Sequence, residues 1–389
     1  MSSMGTLITA FALAVSLAHS PAFQPARQLA AVGQAPQTLY NPSGTIQAFA
    51  QDGTSIAWFS ASTKNCNAVW VLSLANSARS QLPDESAAAR NVTCRWDVSP
   101  PVNLALAGPD ALWTLKDTQA TLPFDYVVGS GVVDDRVERR FQEVAHAKSG
   151  TGLWLGGIAG DSAGAGAGAP NVSTLVYATA AVQYVDEIAC LSGGSCKTQL
   201  SGGGVYRVVG RPPATLIPNT QGAVAVAVSG STVAYVPAAA TGKNGRPVAA
   251  ADVPIEIVDA DTGAPISHVS PGGTPVAIAL APHVLVTLER TTAGLKLAWY
   301  SYSTTTGTRI GSIAVKSATA PEITANDQIA VFRVGRFLHL LTFATGHSRT
   351  VAETVGRPVG VSLEGSRLAW AENIHGRGRI RALFVNGRA

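Results

Sequence analysis

The stretch Pro358–Val385, PVGVSLEGSRLAWAENIHGRGRIRALFV, decides the fold. Two runs of alternating apolar and small or polar residues, 359–363 and 367–370, are separated by the turn Glu364-Gly365-Ser366. A hairpin rich in Gly and Arg leads into a third run at 379–385. Alternation with a period of two, interrupted by turn residues, is typical of a short antiparallel meander. We therefore expect three consecutive strands in this stretch.

A short motif from this stretch recurs along the whole chain. After a turn comes an aliphatic or small residue, a second apolar residue, and then an aromatic residue or Val. The copies are Ile56-Ala57-Trp58, Ala111-Leu112-Trp113, Leu175-Val176-Tyr177, Val233-Ala234-Tyr235, Val284-Leu285-Val286, Ile329-Ala330-Val331 and Leu368-Ala369-Trp370. Their spacing of roughly 40 to 60 residues brackets the ~40–50-residue period of propeller blades. We expect Trp58, Tyr235 and Trp370 to occupy equivalent positions.

The repeats predict an all-β fold, a seven-bladed β-propeller with four antiparallel strands in each blade. The predicted strand sets span 46–82, 102–146, 152–217, 223–269, 276–315, 321–353 and 359–385. A ring of six or eight blades is the alternative, and it depends on how 102–220 divides. Within that region, 134–148 reads either as strand or as helix.

The last set holds three strands, so its fourth strand must come from elsewhere. Residues 26–32, ARQLAAV, have strand character and resemble the fourth-strand segments 308–313 and 348–351. We expect this N-terminal segment to complete the last blade and lock the ring, which also removes an open sheet edge.

The composition supports one large globular domain. Of the 389 residues, 46% are hydrophobic and 13% are charged, a balance that excludes a disordered chain. The 39 Gly and 22 Pro suit a turn-rich β protein. No linker divides the chain, so we predict a single domain at 23–389, with 160–170 (GDSAGAGAGAP) as a loop. A net charge of +4 without dense Lys/Arg runs does not predict nucleic-acid binding.

The N-terminus predicts export. Residues 7–18 form an apolar segment of signal-peptide length, and small residues follow it. We assign 1–22 as a signal peptide, and we expect no membrane span after its removal. The mature chain is expected to be a monomer that is secreted or lies in the cell envelope. The segment before the apolar run carries no Lys or Arg, so an uncleaved anchor is the alternative.

Four cysteines fit an exported protein with disulfide bonds. They allow three pairings. We favour Cys66–Cys94 and Cys190–Cys196, because each pair is local and falls in loops. Neither pair has the spacing of a zinc site, and the seven His residues are scattered. We predict no metal and no cofactor.

The stretch 48–60, AFAQDGTSIAWFS, resembles the TolB-type and WD-like propeller repeat of bacterial envelope proteins. That repeat pairs an Asp-Gly turn with an aliphatic-Ala-aromatic strand. Residues 361–370, VSLEGSRLAW, are similar, with Glu364 in place of the Asp, whereas the middle repeats lose the Asp-Gly pair. The resemblance implies a propeller that binds a protein or ligand, and it carries no catalytic set.

One end of such a ring should carry the function. In a four-stranded blade, loops between strands two and three lie on the same side as the connections between blades. Both cysteine pairs and the longest loops, 84–101, 185–202, 237–253 and 373–378, fall on that side, where binding residues concentrate. The candidate contact residues are Lys64, Arg95, Trp96, Asp97, Lys243, Asn244, Arg246, His375 and Arg377. Trp96 is either an exposed anchor or packs under its own loop.

Two motifs look catalytic but fit turns and loops better. The nucleophile-elbow pattern Gly160-Asp161-Ser162-Ala163-Gly164 lacks the following helix that such a serine needs. The triplet Asp261-Thr262-Gly263 occurs once, whereas an aspartic-protease dyad needs two, so we expect it in a hairpin turn. We therefore predict a non-catalytic binding scaffold for an unknown protein or small ligand. A propeller enzyme of lyase, lactonase or glycosidase type, with its site at the channel mouth, is the alternative.

Overall fold

The computed structural model describes residues 35–60, 68–82, 103–108, 110–116, 126–132, 142–145, 151–163, 172–192, 196–208, 214–317 and 322–386. The expected signal peptide, 1–22, lies outside them. The helical elements in this part of the chain are α1 (Glu187–Leu191) and a 3-10 turn at Lys243–Gly245. Within the described ranges, no helix has the length and apolar character needed to cross a membrane.

The described strands form seven four-stranded antiparallel sheets and one two-stranded ribbon. We number the sheets in chain order. Sheet 1 contains β2 (Ile46–Asp52), β3 (Ser55–Ser60), β4 (Ala68–Ser73) and β5 (Arg79–Leu82). Sheet 2 contains β6 (Asn103–Ala107), β7 (Asp110–Lys116), β8 (Tyr126–Val132) and β9 (Gln142–Ala145). Sheet 3 contains β10 (Thr151–Ala163), β11 (Val172–Tyr184), β12 (Thr198–Val208) and β13 (Thr215–Leu216).

Sheets 4 to 7 follow the same order of strands. Sheet 4 contains β14 (Ala223–Ser229), β15 (Thr232–Pro237), β18 (Ile255–Asp259) and β19 (Pro265–Val269), with the ribbon β16 (Ala240–Thr241) and β17 (Pro247–Val248) inserted. Sheet 5 contains β20 (Thr274–Leu280), β21 (Val284–Thr291), β22 (Gly294–Ser301) and β23 (Thr308–Val315). Sheet 6 contains β24 (Ile323–Ala325), β25 (Ile329–Val334), β26 (Phe337–Thr342) and β27 (His347–Glu353). Sheet 7 contains β28 (Arg357–Glu364), β29 (Arg367–Ile374), β30 (Arg377–Phe384) and β1 (Gln37–Tyr40).

The sheets pack face to face in a closed ring, which makes the fold an all-β propeller. Each interface is a separate apolar cluster shared by two successive sheets. A further cluster joins sheet 7 to sheet 1, for example through Ala369 and Ile380 on one side and Ile56 and Trp58 on the other. Burial of both faces of every sheet explains why 46% of the chain is hydrophobic.

The prediction that Trp58, Tyr235 and Trp370 occupy equivalent positions is confirmed. Trp58, Tyr235 and Trp370 each stand three residues after the first residue of a second strand. Each packs against the preceding sheet of the ring. The turns before these strands contain a glycine at positive φ, as in Gly53 (51°) and Gly365 (55°). A side chain is disfavoured in that conformation, which accounts for the Asp-Gly and Glu-Gly pairs.

The ring is closed by an N-terminal strand, but by a later segment than expected. The strand that pairs with β30 is β1, with Thr38 opposite Arg381 and Tyr40 opposite Ile380. The predicted residues, 26–32, lie outside the described part of the chain. Packing adds to this pairing, because the Tyr40 ring lies 4.9 Å from the ring of Trp58 in sheet 1.

Two expected loops are partly regular structure. Residues 160–163 belong to β10 rather than to a loop, because their backbone pairs with 172–175 of β11. The expected loop 185–202 contains α1, and β12 begins within it at Thr198. In the ambiguous stretch 134–148, the described residues 142–145 are strand. Asp261-Thr262-Gly263 forms the expected turn between β18 and β19, held by Asp259, whose carboxylate accepts the Thr262 N–H at 2.8 Å.

Candidate functional site

The first strands of all seven sheets line a central channel. The cavity has a volume of about 760 Å³. Its accessible surface is more polar than apolar, although apolar side chains such as Leu104, Ile158, Val226, Ile278 and Val361 contribute to the lining. One mouth lies at the hairpins between first and second strands, and we call it the hairpin mouth. Its carboxylates, Asp52, Asp161, Asp327 and Glu364, come from sheets 1, 3, 6 and 7.

The aspartates at the hairpin mouth bind backbone groups of neighbouring sheets. Asp52 accepts the Gly108 N–H of sheet 2 at 2.5 Å and the Ser162 N–H of sheet 3 at 3.0 Å. The Ser162 hydroxyl also donates to Asp52. Asp161 accepts the Gly230 N–H of sheet 4 at 2.6 Å. These carboxylates therefore join neighbouring sheets at the hairpin mouth.

Glu364 occupies the position in sheet 7 that Asp52 holds in sheet 1. Its pKa is raised to about 7, mainly by burial and also by the nearby charges of Asp52 and Asp161. Arg367 and the Gly53 N–H act in the opposite direction. Burial also raises the pKa of Asp161, where the Gly230 N–H opposes the shift. The mouth therefore holds a carboxyl group that titrates near neutral pH.

An arginine beside Glu364 is engaged in joining the two sheets that close the ring. Arg367 donates from Nε to Gln51 Oε1 at 3.0 Å and from Nη2 to the Gly53 carbonyl. Gln51 in turn donates from Nε2 to the carbonyls of Ser362 (2.7 Å) and Arg367 (2.9 Å). Sheets 7 and 1 are thus joined by polar contacts as well as by their apolar cluster.

The sequence alone does not identify the polar residues of the hairpin mouth as a site. The sequence pattern places Asp52 and Glu364 in turns, and Asp161 and Ser162 in a loop. Within the described residues, no group of three or more His, Cys, Asp or Glu side chains has a geometry that could hold a metal ion. In the described part of the chain the Ser162 hydroxyl donates to the Asp52 carboxylate and not to a histidine, so it does not show the Ser–His pairing typical of a nucleophilic serine.

The opposite end carries the loops between second and third strands and the connections between sheets. We call it the loop end. Of the predicted contact residues, Lys64, Arg95, Trp96 and Asp97 lie outside the described part of the chain, as do Cys66 and Cys94. The others form two groups on different sheets. Lys243, Asn244 and Arg246 lie in the long loop of sheet 4, and His375 and Arg377 lie in the β29–β30 hairpin of sheet 7.

The long loops of sheets 3 and 4 pack against each other. A disulfide joins Cys190 in α1 to Cys196, the second of the predicted pairs. The Thr198 hydroxyl donates to the Gly245 carbonyl at 2.7 Å, and the Thr241 hydroxyl donates to the Thr198 carbonyl at 2.7 Å. A Cβ atom on Gly245 would lie 2.8 Å from Thr198 Cγ2, so this contact requires glycine. The two loops therefore form one continuous surface.

A stacked arginine completes this surface. The Arg246 guanidinium lies over the Trp154 ring, 5.4 Å from its centroid. Stacking on an indole holds the guanidinium in place while leaving its edge able to donate hydrogen bonds. Asp186 caps α1 by accepting the Ala189 N–H at 2.9 Å. The surface is therefore built from fixed elements, although the helix has only five residues.

Exposed apolar side chains are concentrated at the loop end. Among the described residues, eight large hydrophobic side chains are exposed, and six of them belong to this end: Val185, Ile188, Leu191, Val248, Phe337 and Val355. The first four lie on the joined loops of sheets 3 and 4, where Ile188 is 79% exposed. The remaining two, Leu216 and Ile310, lie on outer strands. Clustered exposed hydrophobic residues mark interaction surfaces more often than scattered ones do.

Comparison with known proteins supports the fold. No family model matches the sequence, and no curated protein matches it. Among solved structures, an oligogalacturonate lyase in complex with manganese is similar, with a TM-score of 0.52, 12% identity, and coverage of 92% of this chain and 99% of that chain.

Two further structures are similar to a lesser degree. The Cps50 (Swd1) β-propeller domain of Myceliophteria thermophila has a TM-score of 0.49, 11% identity, and coverage of 90% of this chain and 100% of that chain. BamB from Moraxella catarrhalis has a TM-score of 0.41, 11% identity, and coverage of 88% of this chain and 84% of that chain. At 12% identity, the similarity to the oligogalacturonate lyase bears on the fold alone.

Proposed function

We propose that this protein is an exported, seven-bladed β-propeller that binds a partner protein through its loop end and catalyses no reaction. The observation that carries the proposal is the concentration of exposed hydrophobic side chains on the joined loops of sheets 3 and 4. Interfaces have an apolar centre with a polar rim. Here Ile188, Leu191 and Val248 would form the centre, and Lys243 and Arg246 would belong to the rim.

The finer parts of the proposal rest on separate observations. The seven four-stranded sheets support a count of seven blades. The Asp-Gly turn of sheet 1 and the Glu-Gly turn of sheet 7 support the resemblance to TolB-type and WD-like repeats. The apolar segment 7–18 supports export, and the Cys190–Cys196 disulfide is consistent with an oxidising compartment. We further propose that the mature chain is a monomer.

A comparison of variants tests the binding proposal. Affinity-tagged wild-type chain and the variants Ile188→Asp and Ile310→Asp are each incubated with the envelope fraction of the native host. Ile310 is the matched control because it is exposed to 53% on an outer strand, away from the loop end. We expect a specific protein to be retained by the wild type and Ile310→Asp, and at least about tenfold less by Ile188→Asp. Equal retention by both variants would overturn the proposal.

An enzyme with its site at the hairpin mouth is the second candidate. The convergence of carboxylates from four sheets favours it, as does the raised pKa of Glu364. Against it, the oxygens of Asp52 and Asp161 already accept N–H groups of neighbouring sheets. Turnover of any substrate that is lost in Glu364→Gln, in a folded variant, would favour the enzyme over the scaffold.

A further inference from the structure

Two adjoining cavities lie where the ring closes. The first, about 570 Å³ in volume, is lined by the connection Asn41-Pro42-Ser43 and by Arg377 and Arg379 of β30. The second, about 220 Å³, is lined by Tyr40, Trp58, Trp70, Ser60 and Arg79. Pro42 and Ser43 line both cavities, so the two are neighbours along one segment. We call them together the closure groove.

Arg79 is held in a fixed position at one end of the closure groove. Its guanidinium lies over the Trp70 ring at 4.6 Å and over the Tyr40 ring at 5.8 Å. It also donates from Nη1 to the Tyr40 hydroxyl. A guanidinium fixed by stacking has already lost most of its rotamer freedom, so it binds an anion at a lower entropic cost.

At the other end of the groove, one of the two arginine side chains that line the larger cavity has no carboxylate within the described ranges to neutralise its charge. Arg379 donates from Nε (3.0 Å) and Nη2 (2.7 Å) to the buried carboxylate of Glu372, which neutralises it. Arg377 is exposed, and neither it nor Arg79 has an ion-pair partner among the described residues. In this part of the chain, no Asp or Glu lines either cavity.

The lining points to a ligand that carries both an acid group and hydroxyl groups. The planar fork of a guanidinium matches a carboxylate or phosphate. Asn41, Ser43 and Ser60 add uncharged hydrogen-bonding groups beside the arginines. The larger cavity falls within the volume range of small-molecule sites. We propose that the closure groove binds an anionic sugar, with Arg79 at one end or Arg377 at the other holding its carboxylate or phosphate, and Asn41, Ser43 and Ser60 contacting its hydroxyls.

Calorimetric titration of the whole chain tests this site. The probes are a galacturonate disaccharide, glucose 6-phosphate, the neutral disaccharide cellobiose and, as an acid without sugar hydroxyls, a hexaglutamate peptide. We expect at least one acidic sugar to bind, and cellobiose to bind at least about tenfold more weakly. Tighter binding of the uronate or of the sugar phosphate supports the proposal and identifies the acid. Equal binding of cellobiose would overturn it, and so would tighter binding of a hexaglutamate peptide than of either acidic sugar.

Variants locate the binding in the groove. At least one of the variants Arg79→Gln and Arg377→Gln should weaken binding of the acidic sugar by about tenfold or more, and this identifies the arginine that holds the acid group. Arg349→Gln, which removes an exposed arginine from β27, is the control and should bind as the wild type does. Unchanged affinity in both groove variants would overturn the proposal. Ile188→Asp should leave sugar binding unchanged, so failure of the partner-binding proposal and failure of this one are distinguishable.

Discussion

Two buried glutamates stabilise the connections between sheets. Glu289 in β21 and Glu372 in β29 stand at the same position of their strands and are fully buried. Each accepts an N–H from the connection that precedes its sheet: Glu289 from Gly272 at 3.1 Å, and Glu372 from Val355 at 2.7 Å and Gly356 at 2.9 Å. Each also pairs with a cation directly opposite on the third strand. A buried carboxylate is tolerated here because donors surround it.

Removing one of these carboxylates should be costly. Glu372→Ala leaves the Arg379 guanidinium and two backbone N–H groups without their acceptor. We expect the free energy of unfolding to fall by about 3–5 kcal/mol, as is typical when one partner of a buried pair is lost. Urea titration followed by tryptophan fluorescence measures the change. Glu353→Ala removes the exposed partner of Arg336 and should cost at most about 1 kcal/mol. Similar losses in both variants would contradict this role for Glu372.

Glu364 should make stability depend on pH. Its pKa is about 7 in the folded chain, against an ordinary value of 4.5. Between these values the folded state holds more protons than the unfolded state, so stability falls as the pH rises from about 5 to about 8. Burial also raises the pKa values of Asp161 and Asp110. Ionisation of these two groups therefore also lowers the stability of the folded chain as the pH rises.

The variant Glu364→Gln isolates the contribution of Glu364. Because the amide cannot ionise, the difference in melting temperature between pH 5 and pH 8 should be smaller than in the wild type. The gain in stability should appear at pH 8. Melting curves by circular dichroism at both pH values give the comparison. A variant as pH-dependent as the wild type would show that Glu364 does not carry the effect.

At the scale of the element, strands were predictable from the sequence because period-two alternation is a local property. All seven expected strand sets were found, with ends shifted by a few residues. The motif assignment was wrong by one position in sheets 5 and 6. There the second strand begins directly with Val284 or Ile329, so the residues equivalent to Trp58 are Thr287 and Phe332 rather than Val286 and Val331.

Contacts between sheets were not predictable in the same way. At the hairpin mouth, Asp52 binds the backbone N–H groups of Gly108 and Ser162, which are far from it in the sequence. Alternation between neighbouring residues does not predict which distant residues come together. The strand β1 has only four residues, and its side chains are half-buried or exposed. A segment this short gives no readable alternation, whereas 26–32 resembled other fourth strands. In the folded chain, β1 is held by its pairing with β30 and by the packing of Tyr40 on Trp58.

At the scale of the whole molecule, closure joins the two ends of the described chain. The strand β1 covers the edge of β30, and Leu39 and Tyr40 pack against the cluster shared by sheets 7 and 1. Arg381 also donates from Nη2 to the Pro36 carbonyl at 3.1 Å. The same segment continues into Asn41-Pro42-Ser43, so closure and the proposed anion site depend on one stretch of chain. Loss of closure would therefore also disturb that site.

Truncation should show how much closure stabilises the ring. A chain beginning at Asn41 lacks β1, and the edge of β30 and the apolar surface beneath Leu39 and Tyr40 become exposed. We expect a melting temperature lower by at least about 3 °C, since partial burial of two large side chains contributes roughly 2–4 kcal/mol. Aggregation detected by light scattering should increase, because an unpaired edge strand invites association. A chain beginning at Ala35 keeps β1 and is the matched control. If both truncated chains melt alike, the ring is held by its polar and apolar contacts without the N-terminal strand.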